Sequence, residues 1–298
     1  MARPFRFGVT LLTPAASDEW RKKCRMAEML GYDVITVSDH LGRPAPFPAL
    51  VAAAEATERP RLGTFVLDSG FWNPALLARE VATTDQLTGG RLELGLGTGY
   101  MKAEHDAAGL PFGTPGERVT HLQRTIEELD RLFGSDDFTP QPLQQPRPPL
   151  LIGGNGDRVL KLSARHAEIA SFTGGRADPT GKPIMLTAAQ LDERVAAYRR
   201  FAADRTEPAE LNLLIYTVVA TDDRRATLRQ YLGNASYLTI PDFTEDEALE
   251  IPTFLIGTVR QMADQLRAQR ERYGFSYITV VEPAMEAFAP VIEELRGE

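Results

Sequence analysis

Apolar positions along this chain follow two alternating rhythms. Phe5, Phe7 and Val9 recur at period two, which predicts a first strand. Residues 17–30 predict a helix with Ser17 as its N-cap, because Trp20, Cys24, Ala27 and Leu30 recur at spacings of three and four, and Gly31 stops it. Val34-Ile35-Thr36-Val37 is a continuous run, the pattern of a parallel strand covered on both faces. Residues 62–67 read as a third strand. Asn73-Pro74 then opens a helix with a cap and an N1 proline, and Gly89-Gly90 closes it. Residues 91–97 are a fourth strand, and Thr114-Pro115-Gly116-Glu117 is a capping box before a helix with Val119, Leu122, Ile126, Leu129 and Phe133 on one face. The proline-rich stretch 134–149 predicts a surface connection, after which the rhythm resumes. Leu150-Leu151-Ile152 is strand five, 156–166 a short helix, and 169–172 strand six. A second capping box at 187–190 opens a helix ending near Ala203, and 211–219 is strand seven, followed by a helix over 222–231. Residues 232–256, with their acidic stretch 242–247, break the pattern and predict an inserted surface lid or loop. A helix over 258–273, strand eight at 277–281 and a helix over 285–295 complete the chain.

Eight strands, each followed by a helix, predict an α/β fold: a (β/α)8 TIM barrel with an insertion after strand seven, as a single domain over 1–298. The competing arrangement is a doubly wound open sheet. The absence of a glycine-rich G-x-G-x-x-G turn after the first strand favours the barrel.

Charge and composition narrow the function. The 298 residues carry a net charge of -8, which speaks against a nucleic-acid partner, since that would need a basic face. No run of about 18 apolar residues predicts a membrane span. The N-terminus has no signal-peptide pattern, and a lone Cys24 predicts neither disulfide framework nor cysteine metal site; both fit a cytoplasmic setting. Cys24 itself lies on the apolar face of the first helix and reads as a packed thiol. No metal-ligand, G-x-S-x-G or Walker spacing occurs.

Barrel enzymes keep their chemistry at the C-terminal ends of the strands. That rule selects Asp39 and His40, Asp68 to Trp72, Gly97 to Tyr100, Gly153 to Asp157, and Thr173 to Arg176. His40 is the one histidine at a strand end and either moves a proton or caps the following loop. Asp39 either orients it or shapes the turn. Gly153-Gly154-Asn155-Gly156 opens a helix and reads as a phosphate cradle or as a tight turn. Gly95, Gly97 and Gly99 leave room for a flat ring or for strand packing. Phe71, Trp72 and Tyr100 either wall a pocket for an apolar substrate or cover the barrel end.

Several stretches together resemble the bacterial-luciferase-like oxidoreductases, in the branch that uses coenzyme F420. They are 27–33 running into Val37-Ser38-Asp39-His40, then Leu62-Gly63-Thr64 through Asn73-Pro74-Ala75. Asp85-Gln86-Leu87-Thr88-Gly89-Gly90-Arg91 leads into Leu94-Gly95-Leu96-Gly97-Thr98-Gly99, and Ile152-Gly153-Gly154 and Ile256-Gly257-Thr258 follow. The resemblance implies a barrel with a late insertion, a homodimer, and F420 as cofactor, with FMN as the alternative. It implies that His40 transfers a proton at the deazaflavin and that Asp39 contacts it. It also implies a non-proline cis peptide at Phe65-Val66 behind the ring, with Asp68 beside it and Thr98 on the cofactor. Gly153, Gly154, Gly156 and Asp157 would form the phosphate loop, with Arg176 or Lys182 as further donors. Tyr100 stands where the sugar-phosphate dehydrogenases of this branch carry a glutamate. A protonated phenol, pKa about 10, suits donation better than base catalysis. The expectation is therefore hydride transfer from reduced F420 to an activated C=C or C=N of a small organic substrate, with His40 or Tyr100 supplying the proton. A reduced-FMN monooxygenase and a catalytically silent ligand binder are the competing readings.

Overall fold

A computed structural model describes residues 3–177, 183–234 and 243–298. Its strands are β1 (Arg6–Leu11), β2 (Val34–Val37), β3 (Arg61–Thr64), β4 (Leu67–Asp68), β5 (Leu92–Gly97), β6 (Leu150–Gly153), β7 (Ile169–Phe172), β8 (Gly175–Ala177), β9 (Pro183–Met185), β10 (Glu210–Ile215), β11 (Thr217–Ala220), β12 (Phe254–Gly257) and β13 (Phe275–Val281). The helices are α1 (Ser17–Met29), α2 (Pro46–Ala56), α3 (Pro74–Leu87), α4 (Lys102–Ala108), α5 (Pro115–Phe133), α6 (Asp157–His166), α7 (Ala188–Phe201), α8 (Arg224–Asn234), α9 (Glu245–Leu249), α10 (Val259–Tyr273) and α11 (Met285–Glu294).

The parallel ring runs β1-β2-β3-β5-β6-β7-β10-β13 and closes where β13 pairs with β1, so the sheet is an eight-stranded barrel and not an open one. Alternation along β1 shows how the residues divide. Phe7, Val9 and Leu11 pack outward into the main core beneath the helices. Thr10 turns inward and its hydroxyl meets that of Thr36 at 2.8 Å. A smaller apolar layer of Val34, Phe65, Leu151, Ile169 and Tyr277 forms a separate cluster. Gly8 has a steric reason, since a Cβ there would lie 2.9 Å from the Tyr277 ring. Cys24 is fully buried on α1, and burial pushes its thiol up to about 12, which keeps it protonated and inert. Among the described residues no helix is long and apolar enough to cross a membrane.

Three predicted elements differ in detail. Ser17 is the first residue of α1 and not its cap; Ala16 holds that position, with no side-chain bond to the helix. The third strand is broken into β3 and β4 by a cis peptide at Phe65-Val66, at the place the family resemblance implied. The seventh strand is also two: β10 stays in the barrel, whereas β11 leaves it and pairs with β12. The excursion therefore begins at Thr217, well before residue 232. It has its own core of Leu228, Ala248, Ile251, Phe254 and Ile256, to which Met185 at the end of β9 contributes. The acidic stretch is partly helical. Thr244 caps α9, and Glu245 and Asp246 pair with Arg225. Residues 235–242, including Asp242, lie outside the described residues.

One contact ties the end of the chain to its beginning. Glu282 accepts from the Leu12 and Thr13 N–H groups at 2.6 and 2.7 Å and pairs with Lys23 at 2.7 Å. Burial works to raise its pKa, but Lys23 and the two N–H groups outweigh it and hold the carboxyl below its usual value. A carboxyl depressed in the folded state stabilises above its unfolded pKa, about 4.3, and loses that contribution as pH falls through the folded value. Glu282→Gln is expected to cost about 1.5–3 kcal/mol at pH 7, as for a hydrogen-bonded charge, and much less at pH 3. Urea unfolding at the two pH values checks this; equal losses at both would sink it.

Candidate active site

The break in strand three shapes the barrel mouth. A Cβ on Gly95 would fall 2.0 Å from the Thr64 carbonyl oxygen. One on Gly97 would lie 2.7 Å from Val66 Cγ2, and one on Gly153 3.3 Å from Val66 Cγ1. The Thr64 hydroxyl both donates to the Gly95 carbonyl and accepts from its N–H, each at 2.8 Å. The glycines of β5 and β6 thus receive the bulge itself. Strand packing, not an open face for a flat ring, explains Gly95 and Gly97.

Asp39 and His40 follow β2 after Ser38. His40 Nδ1 lies 2.9 and 3.1 Å from the two oxygens of Glu104 on α4. A carboxylate accepts, so Nδ1 carries the hydrogen; Nε2 has no bonded partner among the described residues. Tyr100 sits edge-on to the imidazole, with ring centroids 5.6 Å apart. It is 47% exposed, and its phenol is pushed above its ordinary value by burial of part of the ring and by Glu104. It therefore stays protonated at neutral pH. The Tyr216 phenol, at the joint between β10 and β11, is pushed above its ordinary value by burial and by Tyr100.

Asp39 is anchored. Its Oδ2 accepts from Trp72 Nε1 at 2.8 Å and from the Asp68 N–H at 3.3 Å. Burial, reinforced by the Asp68 charge, raises the Asp39 carboxyl above its ordinary value despite those bonds. Asp68 is 8% exposed and bonds His105 Nε2 at 2.9 Å. The rim aromatics divide accordingly. Trp72 stacks edge-on against Phe47 while it holds Asp39, and Phe71 covers His105; Tyr100 is the one exposed at the mouth.

At the opposite side of the mouth, Gly153 ends β6, and Gly154 takes φ +144 with its N–H bonded to Ser171 O at 3.1 Å. Gly156 N-caps α6 without a side-chain cap, and a Cβ there would meet nothing within 4 Å. The first-turn N–H groups of α6 are thus open to an anion. Asp157 turns to Arg194 at 2.7 Å. Asn155 Nδ2 bonds the Thr173 hydroxyl at 2.9 Å, tying the loops after β6 and β7. Thr98 makes only a long bond, 3.4 Å, to the Gly99 carbonyl. Ser38 Oγ and Asn155 Oδ1 are buried without a partner among the described residues. Two orphaned polar atoms and an open helix N-terminus fit a polar, phosphorylated ring cofactor. Lys182 lies outside the described residues, and of Arg176 only the backbone in β8 is described.

Residues 1–277 match the model of the luciferase-like monooxygenase family. The chain belongs to this family. Among its relatives, the oxygenase component of a flavin-dependent trigonelline monooxygenase from Acinetobacter baylyi is 30% identical over 74% of this chain and 64% of its own length. An F420-dependent glucose-6-phosphate dehydrogenase from Beutenbergia cavernae is 29% identical over 82% of this chain and 75% of its own. Among solved structures, the coenzyme F420-dependent tetrahydromethanopterin reductase of Methanopyrus kandleri superposes with a TM-score of 0.77 at 16% identity, covering 99% of this chain and 100% of that one. The last likeness concerns fold alone. The relatives that this luciferase-like chain matches include both flavin-dependent and F420-dependent enzymes.

Two contributors were outside the sequence-based selection: Glu104 and His105. Both lie on α4, beyond the strand end that points to Tyr100. The only signal for them in the sequence is their position just after Gly97-Thr98-Gly99.

Proposed function

We propose that the chain is an F420-dependent oxidoreductase that reduces an activated C=C or C=N bond of a small, partly apolar organic substrate. The observation that carries this is the His40–Glu104 pair beside a protonated Tyr100. Bound reduced F420 would supply the hydride. Ser38, Asn155 and the α6 N-terminus would hold the cofactor, and Val66 would back it. With Nδ1 committed to Glu104, any proton that His40 delivers leaves from Nε2, so the donating form is the imidazolium, whose charge the Glu104 carboxylate offsets. The Tyr100 hydroxyl is a second donor within the same space. Asp39 is held through Oδ2 by Trp72 and the Asp68 N–H, which leaves its other oxygen as an acceptor for the cofactor.

A reduced-FMN monooxygenase is the second reading, favoured by the flavin-dependent relative at 30% identity. Fluorescence titration of purified protein with F420 and FMN separates them. The F420 reading expects tight F420 binding with weak FMN binding. Tight FMN binding with none for F420 overturns it.

A further inference from the structure

We infer that His105 is a positioning residue for the catalytic centre, acting through Asp68. The inference rests on placing the site at Asp39 and His40, but not on which cofactor binds there. His105 is 1% exposed, held between Phe71 and Phe112 with ring centroids 4.8 and 5.0 Å away. Its Nδ1 lies 3.1 Å from the Pro111 carbonyl, which can only accept, so Nδ1 carries a hydrogen. Nε2 then meets Asp68 Oδ2 at 2.9 Å. A proton lies on that line whether the ring or the carboxyl owns it, so the pair is locked without a solvent partner.

The surrounding backbone is closed around this pair. A Cβ on Gly99, which has φ +67, would fall 1.9 Å from Asp68 Oδ2, and one on Gly70 would lie 2.6 Å from His105 Cε1. Asp68 Oδ1 accepts from the Gly70 N–H at 2.9 Å, and the Asp68 N–H reaches Asp39. The charges near the pair are the Asp39 carboxylate and Arg118 of α5, the latter stacked on Phe112 at 4.0 Å and within reach of the Asp68 charge; His121 of α5 is committed to the Ser69 carbonyl. Two consecutive residues of α4 therefore grip two consecutive residues after β2: Glu104 holds His40 directly, and His105 holds Asp39 by way of Asp68. If α4 loses its His105 anchor, Glu104 loses its fixed place against His40.

The test uses imidazole nitrogen NMR on cofactor-free protein with 15N-labelled histidine. In the wild type, the proton shared between His105 Nε2 and Asp68 should be protected from exchange with water, and His40 should show a hydrogen on Nδ1. His105→Gln places an amide donor where Nε2 lies and should leave the His40 signals at their wild-type positions. His105→Asn carries the same group one methylene short of Asp68. It should move His40 toward a mixture of tautomers, and with cofactor bound it should lower kcat at least tenfold more than His105→Gln does. Unchanged His40 signals in His105→Asn would overturn the proposal, and so would equal disturbance by the two variants. Free exchange with water of the proton between His105 Nε2 and Asp68 overturns it without any variant. Binding of FMN alone would defeat the F420 reading and leave this comparison standing.

Discussion

His40→Gln is expected to lower turnover by about 10²–10⁴-fold, the usual worth of a positioned proton donor or acceptor, while cofactor affinity stays nearly unchanged. Gln is of similar length and polarity but cannot take up and release a proton. His40 packs its ring against Tyr100 and is fixed by a single side-chain partner, Glu104, so the substitution removes chemistry with little packing. Glu104→Gln should fall between the two. Its amide oxygen still accepts from Nδ1, but it no longer offsets the imidazolium charge, and a neutral hydrogen bond is about half as strong as a charge-assisted one. Single-turnover rates measured alongside cofactor binding separate the step from the binding. If His40→Gln and Tyr100→Phe each retained full turnover with bound cofactor, the proton-donor reading would fail.

How much of this was legible in the chain depended on how local the signal is. The capping boxes at Thr114 and Thr187 form as read, because each is satisfied within four residues. The same holds for Asn73, whose side chain accepts from Ala75 and Leu76 N–H. α2 was not legible. Its sequence Pro46-Phe47-Pro48-Ala49-Leu50-Val51 is apolar on all sides, so it has no helical stripe, and Ala45 gives no capping signal. α4 was missed for the opposite reason: seven residues, mostly polar, after an uncapped Met101. With α4 went Glu104 and His105. The rule that a barrel's chemistry sits at strand ends selected His40 and left His105, which lies beyond the strand end, unselected. Only the tertiary approach of α4 to β2 and β4 makes it part of the site. Trp72 and Phe71 show the same limit, since position at the rim does not say which aromatic turns to the pocket and which to Asp39 or His105.

The largest effect on stability is expected at the N-terminal end of the barrel, far from the mouth. The Arg6 guanidinium bonds Glu93 and, at 2.6 Å, Glu210, and lies 4.2 Å over the Tyr277 ring. Arg61 reaches Glu93 at 2.7 Å but makes no bond to Glu210. Burial already pushes the Glu210 carboxyl above its ordinary value, with Arg6 working against that rise. Arg6→Met keeps an apolar stem but removes the guanidinium over Tyr277 and takes from Glu210 its bonded partner, so it is expected to cost about 3–5 kcal/mol at pH 7, the penalty for a buried charge deprived of its partner. The sign with pH follows. Without Arg6 the folded pKa of Glu210 rises further, so the folded state binds its proton more tightly than the unfolded one does. The destabilisation is then full at neutral pH and shrinks as pH falls through that raised value. Adding Glu210→Gln to Arg6→Met should restore much of the loss at pH 7 by removing the stranded charge. Urea unfolding at pH 7 and pH 5 measures both effects. A loss below about 1 kcal/mol at pH 7, as for an exposed ion pair, would show that water reaches this cluster and that the barrel is not sealed at that end.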